Sequence, residues 1–394
     1  MSKNDVVILA GARTPQGRLL GQLAGFSAVE LGTIALKAAL KRSGVDVGDV
    51  DSVIFGQVLQ AGAGQNPARQ TSRAAGIGWD VPAVTVNKVC LSGIQAVTDA
   101  ARLIRLGEAS VVVAGGQESM TNAPHVLPAS RKGYKYGEVT LIDTAAFDGL
   151  TDAFDGDSMG VSTERHNGRL GIDRAQQDQV ALDSHLRAAQ AQTNGIFDDE
   201  ITPVEVPSRR GEPTILTSDE GVRGESTLES LGALRPAFDT EGTITAGNSS
   251  PLSDGACALV LASRAYAEEH GLTWLAVVGA SGSVAGPDNS LHSQPSRAIA
   301  DAVAKAGWSA TDLDVVEINE AFAAVSVQSM RDLDLDAEKV NIHGGAIALG
   351  HPIGASGARV VLHAALELSR RGSGKAAAAL CGGGGQGDAL LLSL

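Results

Sequence analysis

Ser43-Gly44-Val45-Asp46-Val47-Gly48-Asp49-Val50-Asp51-Ser52-Val53 is answered far downstream by Ala306-Gly307-Trp308-Ser309-Ala310-Thr311-Asp312-Leu313-Asp314-Val315-Val316. Gly44, Asp49, Asp51 and Val53 recur at Gly307, Asp312, Asp314 and Val316, each 263 positions later. An Ala-rich helical pattern precedes each copy, Leu31–Lys41 and Ile299–Lys305. The register continues: Ser92-Gly93 matches Ser356-Gly357 at an offset of 264, and each pair opens an aliphatic helix. These helices end at Gly107 and Gly372, where glycine accepts the left-handed cap conformation. Short apolar runs follow, Ser110–Ala114 and Lys375–Leu380, and read as strands buried on both faces. Each run meets a glycine cluster, Gly115-Gly116-Gln117 and Gly382–Gln386, the second read as a flexible turn.

The halves then diverge. Gly387–Leu392 follows at once as a last strand, whereas its counterpart Asp254–Leu261 comes only after residues 118–252. That insertion holds charge clusters such as Ser130–Tyr136 and Ser208–Pro213, and one amphipathic helix over Asp173–Thr193. The division predicted is residues 1–120 plus 252–272 as one α/β half, 121–251 as an inserted loop domain, and 273–394 as the second half.

Composition agrees with close packing of backbones. Glycine is 48 of 394 residues, against a usual share of about 7%, and aromatics are 3%. With 43% apolar residues, disorder is excluded, and no apolar run has the ~18 residues of a membrane helix. A net charge of −14 argues against nucleic acid as partner. Three cysteines form no even disulfide framework. With no secretory or transit pattern after Met1 and no targeting tripeptide at Leu394, they suit a reducing cytoplasm.

Four segments carry chemistry. In Asn341–Arg359 a glycine-rich loop leads to His351, placed just before a helix, where the field of the helix start opposes protonation. In Val86–Gly93, Cys90 stands before the matching helix of the first half. There the field favours a thiolate, unless the thiol simply fills the core. Cys381 ends a strand at Gly382–Gly387, while Cys257 lies inside an alternating strand and reads as core. At Val315–Ala324 a strand ends at Asn319, which either caps the following helix or faces a ligand at the strand's carboxyl end.

Taken together, these segments resemble the thiolases, in particular the biosynthetic acetyl-CoA C-acetyltransferase branch. The likeness runs from Ala10-Gly11-Ala12-Arg13-Thr14-Pro15 through Asn319-Glu320-Ala321-Phe322 and Gly350-His351-Pro352 to Cys381-Gly382-Gly383-Gly384. The resemblance implies an α/β fold, a duplicated layered α/β/α/β/α sandwich with an inserted loop domain, assembled as a homotetramer. It implies Claisen condensation of two acetyl-CoA, or cleavage of acetoacetyl-CoA by CoA, through an acetyl-cysteine. Cys90 is then the nucleophile, His351 its base, and Cys381 the acid/base at the α-carbon. Asn319 holds a water that, with His351, donates to the thioester oxygen. The amides of Cys90 and Gly383 form a second oxyanion site. Ser250 is expected at the pantetheine, Leu150, Met159, Phe238, Ala246, Ala321 and Phe322 along the tunnel, and Arg223 near the adenine. The basic Arg131–Lys135 falls in what resembles the family's tetramerisation loop. CoA is a substrate, and no resident cofactor or metal is expected.

Three positions depart from the branch: Ser158 before Met159-Gly160, Leu291–Pro295, and Pro251, all of which bear on acyl-pocket shape. The nearest rival is a degradative 3-ketoacyl-CoA thiolase taking longer chains. A ketoacyl synthase is expected to carry His at position 319. A non-catalytic scaffold would not need all four site residues. Gly382–Gly387 formally fits a dinucleotide-binding fingerprint, but Asp388–Leu394 is too short to supply the helix that motif opens.

Overall fold

A computed structural model describes residues 5–208 and 211–394. Met1–Asn4, and Arg209 and Arg210 of the second charge cluster, lie outside the described residues. The first half runs β1 (Val6–Arg13), β2 (Gly17–Arg18), α1 (Ala28–Ser43), β3 (Ser52–Gly56), α2 (Pro67–Ala74), β4 (Ala83–Val86), α3 (Ser92–Arg105) and β5 (Val111–Ser119). Residues 120–252 then leave the sheet. They carry β6 (His125–Val126) paired with β7 (Ile142–Asp143), α4 (Met159–Leu170), α5 (Arg174–Thr193), β8 (Val204–Val206) paired with β9 (Thr214–Leu216), and α6 (Leu228–Gly232). The chain re-enters the sheet with β10 (Ser253–Ser263) and α7 (Arg264–Glu269). The second half runs β11 (Ala276–Ala285), α8 (Gln294–Ala306), β12 (Val315–Ile318), α9 (Ala323–Leu333), α10 (Ala346–Leu349), α11 (Ser356–Arg371), β13 (Lys375–Gly382) and β14 (Gln386–Ser393).

The repeat is visible in the pairing. In the first half β1, β10, β5 and β3 lie side by side; in the second, β11, β14, β13 and β12 do the same. In each half the last pair is parallel, β3 with β5 and β12 with β13, and the others antiparallel. The halves join where β1 meets β11 antiparallel, Val6 opposite Val278.

Alternation along the strands builds the layers. Val6 and Ile8, Val112 and Ala114, and Ala376, Ala378 and Leu380 pack with α3 and α11 in one central core. Val7 and Leu9, and Val111 and Val113, face outward to α1. Ala377, Ala379 and Leu391 face outward to α8 and α9. The result is five layers, helices–sheet–helices–sheet–helices, with α3 and α11 in the middle. α1 starts in a capping box of Ser27 and Glu30 and stops at Gly44, φ +69°. α5 starts in a capping box of Asp173 and Gln176.

The glycines have defined places. At Gly93 a Cβ would come within 2.7 Å of the Ala358 nitrogen, and at Gly357 it would overlap the Ile94 nitrogen. The two central helices thus touch backbone to backbone at their N-terminal ends. Gly115-Gly116-Gln117 is strand, not a break: β5 continues to Ser119, because only glycine at 116 leaves room for the Gly354 carbonyl. Gly382–Gln386 is likewise a fixed hairpin rather than a flexible turn, with Gly384 and Gly385 at φ +77° and +66°.

Candidate active site

Both central helices point their N-terminal ends at one place. α3 begins at Ser92, so Cys90 lies just ahead of it. Val89 sits at φ +51°, a strained setting for a β-branched residue that costs about 1–3 kcal/mol. The turn is held by Asn87 Oδ1 accepting from Val89 N (3.0 Å) and by the Ser92 hydroxyl donating to Val89 O (2.6 Å). Lys88 anchors it across the repeat, with Nζ 2.7 Å from Asp388 on β14.

His351 lies five residues ahead of α11, not directly against it. Its placement comes from side chains instead. The Ser356 hydroxyl donates to Pro352 O (3.0 Å), and His351 Nδ1 lies 2.6 Å from the same hydroxyl oxygen. A hydroxyl has one hydrogen, so Nδ1–H is the donor and Nε2 keeps its lone pair. Asn319 Nδ2 faces Nε2 at 3.4 Å. Asn319 does not cap α9, whose N-cap is Phe322 without a side-chain bond. Its Oδ1 is buried without a partner among the described residues.

Burial, aided by the charge of Arg359, pushes His351 down to about 3. Burial pushes the Cys90 thiol up to about 12, opposed by the backbone amides of Cys90 and Gly383. Desolvation, the largest influence on this thiol, works against the thiolate that the helix start favours. The Cys381 thiol is also pushed up, by burial and then by the neighbouring Cys90 charge. The resting pair is thus thiol and neutral imidazole. Alkylation of Cys90 by iodoacetamide is expected to rise steadily from pH 7 to 9, about tenfold per unit, since only the thiolate reacts. Peptide mapping of the label against pH checks this. A plateau near pH 7 would mean a preformed ion pair.

Cys90, His351, Cys381 and Gly383 line one cavity of about 360 Å³. Leu150, Met159, Phe238, Ser250, Ala321 and Phe322 line it too. Ser250 donates to Ala321 O from both its amide and its hydroxyl. Leu150 closes a π-helical turn, Ala145–Leu150, and Phe238 meets Phe322 edge to face. Asn319 stands behind His351 and does not line the cavity. Neither do Ala246, which is exposed, and Arg223, whose amide donates to His185 Nδ1. The three departing positions are all at the wall: Ser158, which also caps α4, Pro251 and Leu291.

Buried acidic residues around the site went unread in the sequence. Glu118 accepts from the amides of Val58, Leu59 and Gly354. Glu320, next to Asn319, accepts from Ser184, Asn341 and Ile347. Glu317 pairs with Arg359 at 3.5 Å. Position next to a glycine or asparagine motif is the one signal the sequence offered.

Two thiols and a neutral imidazole, converging where two α/β repeats meet, are an arrangement suited to acyl transfer through a cysteine thioester. Family models agree: the thiolase N-terminal domain matches residues 6–265 and the thiolase C-terminal domain residues 272–394. The chain belongs to the thiolase family. A probable acetyl-CoA acetyltransferase of Mycolicibacterium smegmatis is 58% identical over 98% of this chain and 100% of that protein. The acetyl-CoA acetyltransferase of Cupriavidus necator is 48% identical over 98% of each. A crystal structure of the Bacillus anthracis acetyl-CoA acetyltransferase matches with a TM-score of 0.96 at 41% identity, covering 99% of this chain and 98% of that one.

Proposed function

We propose that this chain is an acetyl-CoA C-acetyltransferase, joining two acetyl-CoA into acetoacetyl-CoA and CoA or running the reverse thiolysis. The observation that carries the reading is the convergence of Cys90, His351 and Cys381 on one cavity. The names of the relatives support the acetyl group as cargo.

In thiolysis Cys90 Sγ attacks the 3-keto carbon of acetoacetyl-CoA, and its proton passes to His351 Nε2. Asn319, through a water, and the newly protonated His351 donate to the thioester oxygen of the departing half. The C2–C3 bond breaks, and C2 takes a proton from Cys381, releasing acetyl-CoA. CoA then attacks acetyl-Cys90, with its own thiol proton balancing the one Cys381 gave up. The amides of Cys90 and Gly383 receive the oxyanion at the acyl carbon in both tetrahedral intermediates. In condensation Cys381 removes the α-proton. Burial is the main influence holding the Cys381 proton, so its transfer goes together with charge moving onto the thioester oxygen. Burial and Arg359 disfavour the His351 imidazolium, which returns its proton to the Cys90 sulfur as CoA takes the acetyl group.

CoA is substrate and product, and these steps need no resident cofactor. Ser250 is proposed at the pantetheine. Arg223, beside Arg18 and His185, is proposed near the nucleotide, where positive charge suits phosphate. Ala246 is proposed at the outer end of the path. A homotetramer in the cytoplasm completes the reading.

The test is cleavage of a ladder of 3-ketoacyl-CoA chain lengths. Acetoacetyl-CoA is expected to turn over fastest, because Leu150, Met159, Leu291 and Phe322 crowd the reacting end. No cleavage of any member overturns the reading. One observation favours the longer-chain rival: a second hollow of about 560 Å³ shares Val89, Gly149, Met159 and Gly383 with the first. Faster turnover of long chains would decide for it.

A further inference from the structure

The duplication places a second, altered copy of the site next to the first. Ser92 starts α3 and Ser356 starts α11, an offset of 264. Carried back and forth at that offset, Cys90 corresponds to Gly354, His351 to Asn87, Cys381 to Gln117 and Gly383 to Ser119. The amide of Gly354 is thus the counterpart of the Cys90 amide, one of the two that oppose the rise of the Cys90 thiol. It is not idle. The fully buried Glu118 carboxylate accepts from it at 3.0 Å through Oε2. The same oxygen accepts from Val58 N at 2.9 Å, and Oε1 from Leu59 N at 3.2 Å. In the second copy the chain's own Glu118, whose carboxyl burial pushes up to about 7, therefore occupies the Gly354 amide, the counterpart of the Cys90 amide.

The amides it gathers belong to both repeats. Val58 and Leu59 follow β3; Gly354 belongs to the loop His351-Pro352-Ile353-Gly354. Val58, Leu59 and Ile353 form one small buried cluster against which Cys90 packs. Space is tight as well, since a Cβ at Gly354 would come 2.8 Å from Glu118 Oε2 and 2.8 Å from Gln117 O.

We propose that Glu118 is a positioning residue for the reaction: by binding the Gly354 amide together with those of Val58 and Leu59, it fixes the loop that carries His351 against the wall that supports Cys90. The proposal rests on His351 being the base of the proposed reaction. Glutamine at 118 keeps the shape but replaces one acceptor oxygen by an NH₂ that faces amide donors. The test is Glu118→Gln in the full-length enzyme, with thiolysis of acetoacetyl-CoA measured per Cys90 site titrated by iodoacetamide. The expected result is kcat per titrated site at least about tenfold below wild type, with KM for acetoacetyl-CoA within about twofold. A role in folding alone would lower the number of titratable sites and leave kcat per site unchanged. That result, kcat per site within about twofold of wild type, overturns the proposal. If Glu118→Gln yields no soluble protein, Glu118→Asp, which keeps the charge and withdraws the oxygens by one methylene, is read by the same two criteria. Wild-type turnover in the same assay reports separately on the proposed function.

Discussion

Replacing Cys381 by alanine is expected to lower condensation of acetyl-CoA by about 10³ or more while leaving acetylation of Cys90 largely in place. The magnitude is that of a lost general acid/base at carbon. The α-proton of a thioester is weakly acidic, and among the described residues the cavity wall otherwise offers Cys90 and His351 as proton-transfer groups. In the proposed reaction Cys90 carries the acetyl group at that stage, and His351 donates to the oxygen where charge collects. The backbone at Cys381 is held by its pairing with Gly387 between β13 and β14, so the substitution removes the thiol without moving the strand. The measurement is initial-rate condensation beside single-turnover labelling of Cys90. Unchanged condensation would remove Cys381 from its role.

Replacing His351 by alanine is expected to do more, because the residue serves twice. It takes the Cys90 proton, worth about 10²–10⁴, and it donates to the thioester oxygen, worth about 10²–10³. A fall of about 10⁴ or more in kcat for thiolysis is expected, with both acylation and condensation impaired. The high resting position of the Cys90 thiol makes the base indispensable, since almost no thiolate exists without it. Steady-state rates of wild type and His351→Ala, at equal content of titratable Cys90, check this. A loss below tenfold would assign the base elsewhere.

The fold was legible because the chain states it twice. Gly44 and Gly307 mark equivalent helix ends, and Ser92-Gly93 and Ser356-Gly357 mark equivalent helix starts. The near-constant offset between them exposes the insertion between β5 and β10. The placement of the candidate site was legible for the same reason, since Cys90 and the His351 loop precede matching helices. Their protonation was not. A helix start read in isolation favours a thiolate, but how deeply a thiol is buried depends on the packing of distant segments such as Met159 and Ile353. Glu118 stayed hidden because its meaning lies in three amides from positions 58, 59 and 354, which no local pattern connects to it. The continuation of β5 past Ala114 through Gly115 and Gly116 was not legible because the backbone these glycines admit, at Gly354, lies far away in sequence.

The account turns on an acetyl group passing through Cys90. The most direct measurement is peptide mass mapping of the enzyme quenched in acid after brief mixing with acetoacetyl-CoA without free CoA. The account predicts one acetyl group per chain, on the peptide holding Cys90, lost when CoA is added and absent in Cys90→Ala. An unmodified Cys90 peptide in enzyme that cleaves acetoacetyl-CoA once CoA is supplied, or an acetyl group on Cys381 or Cys257 instead, would contradict it.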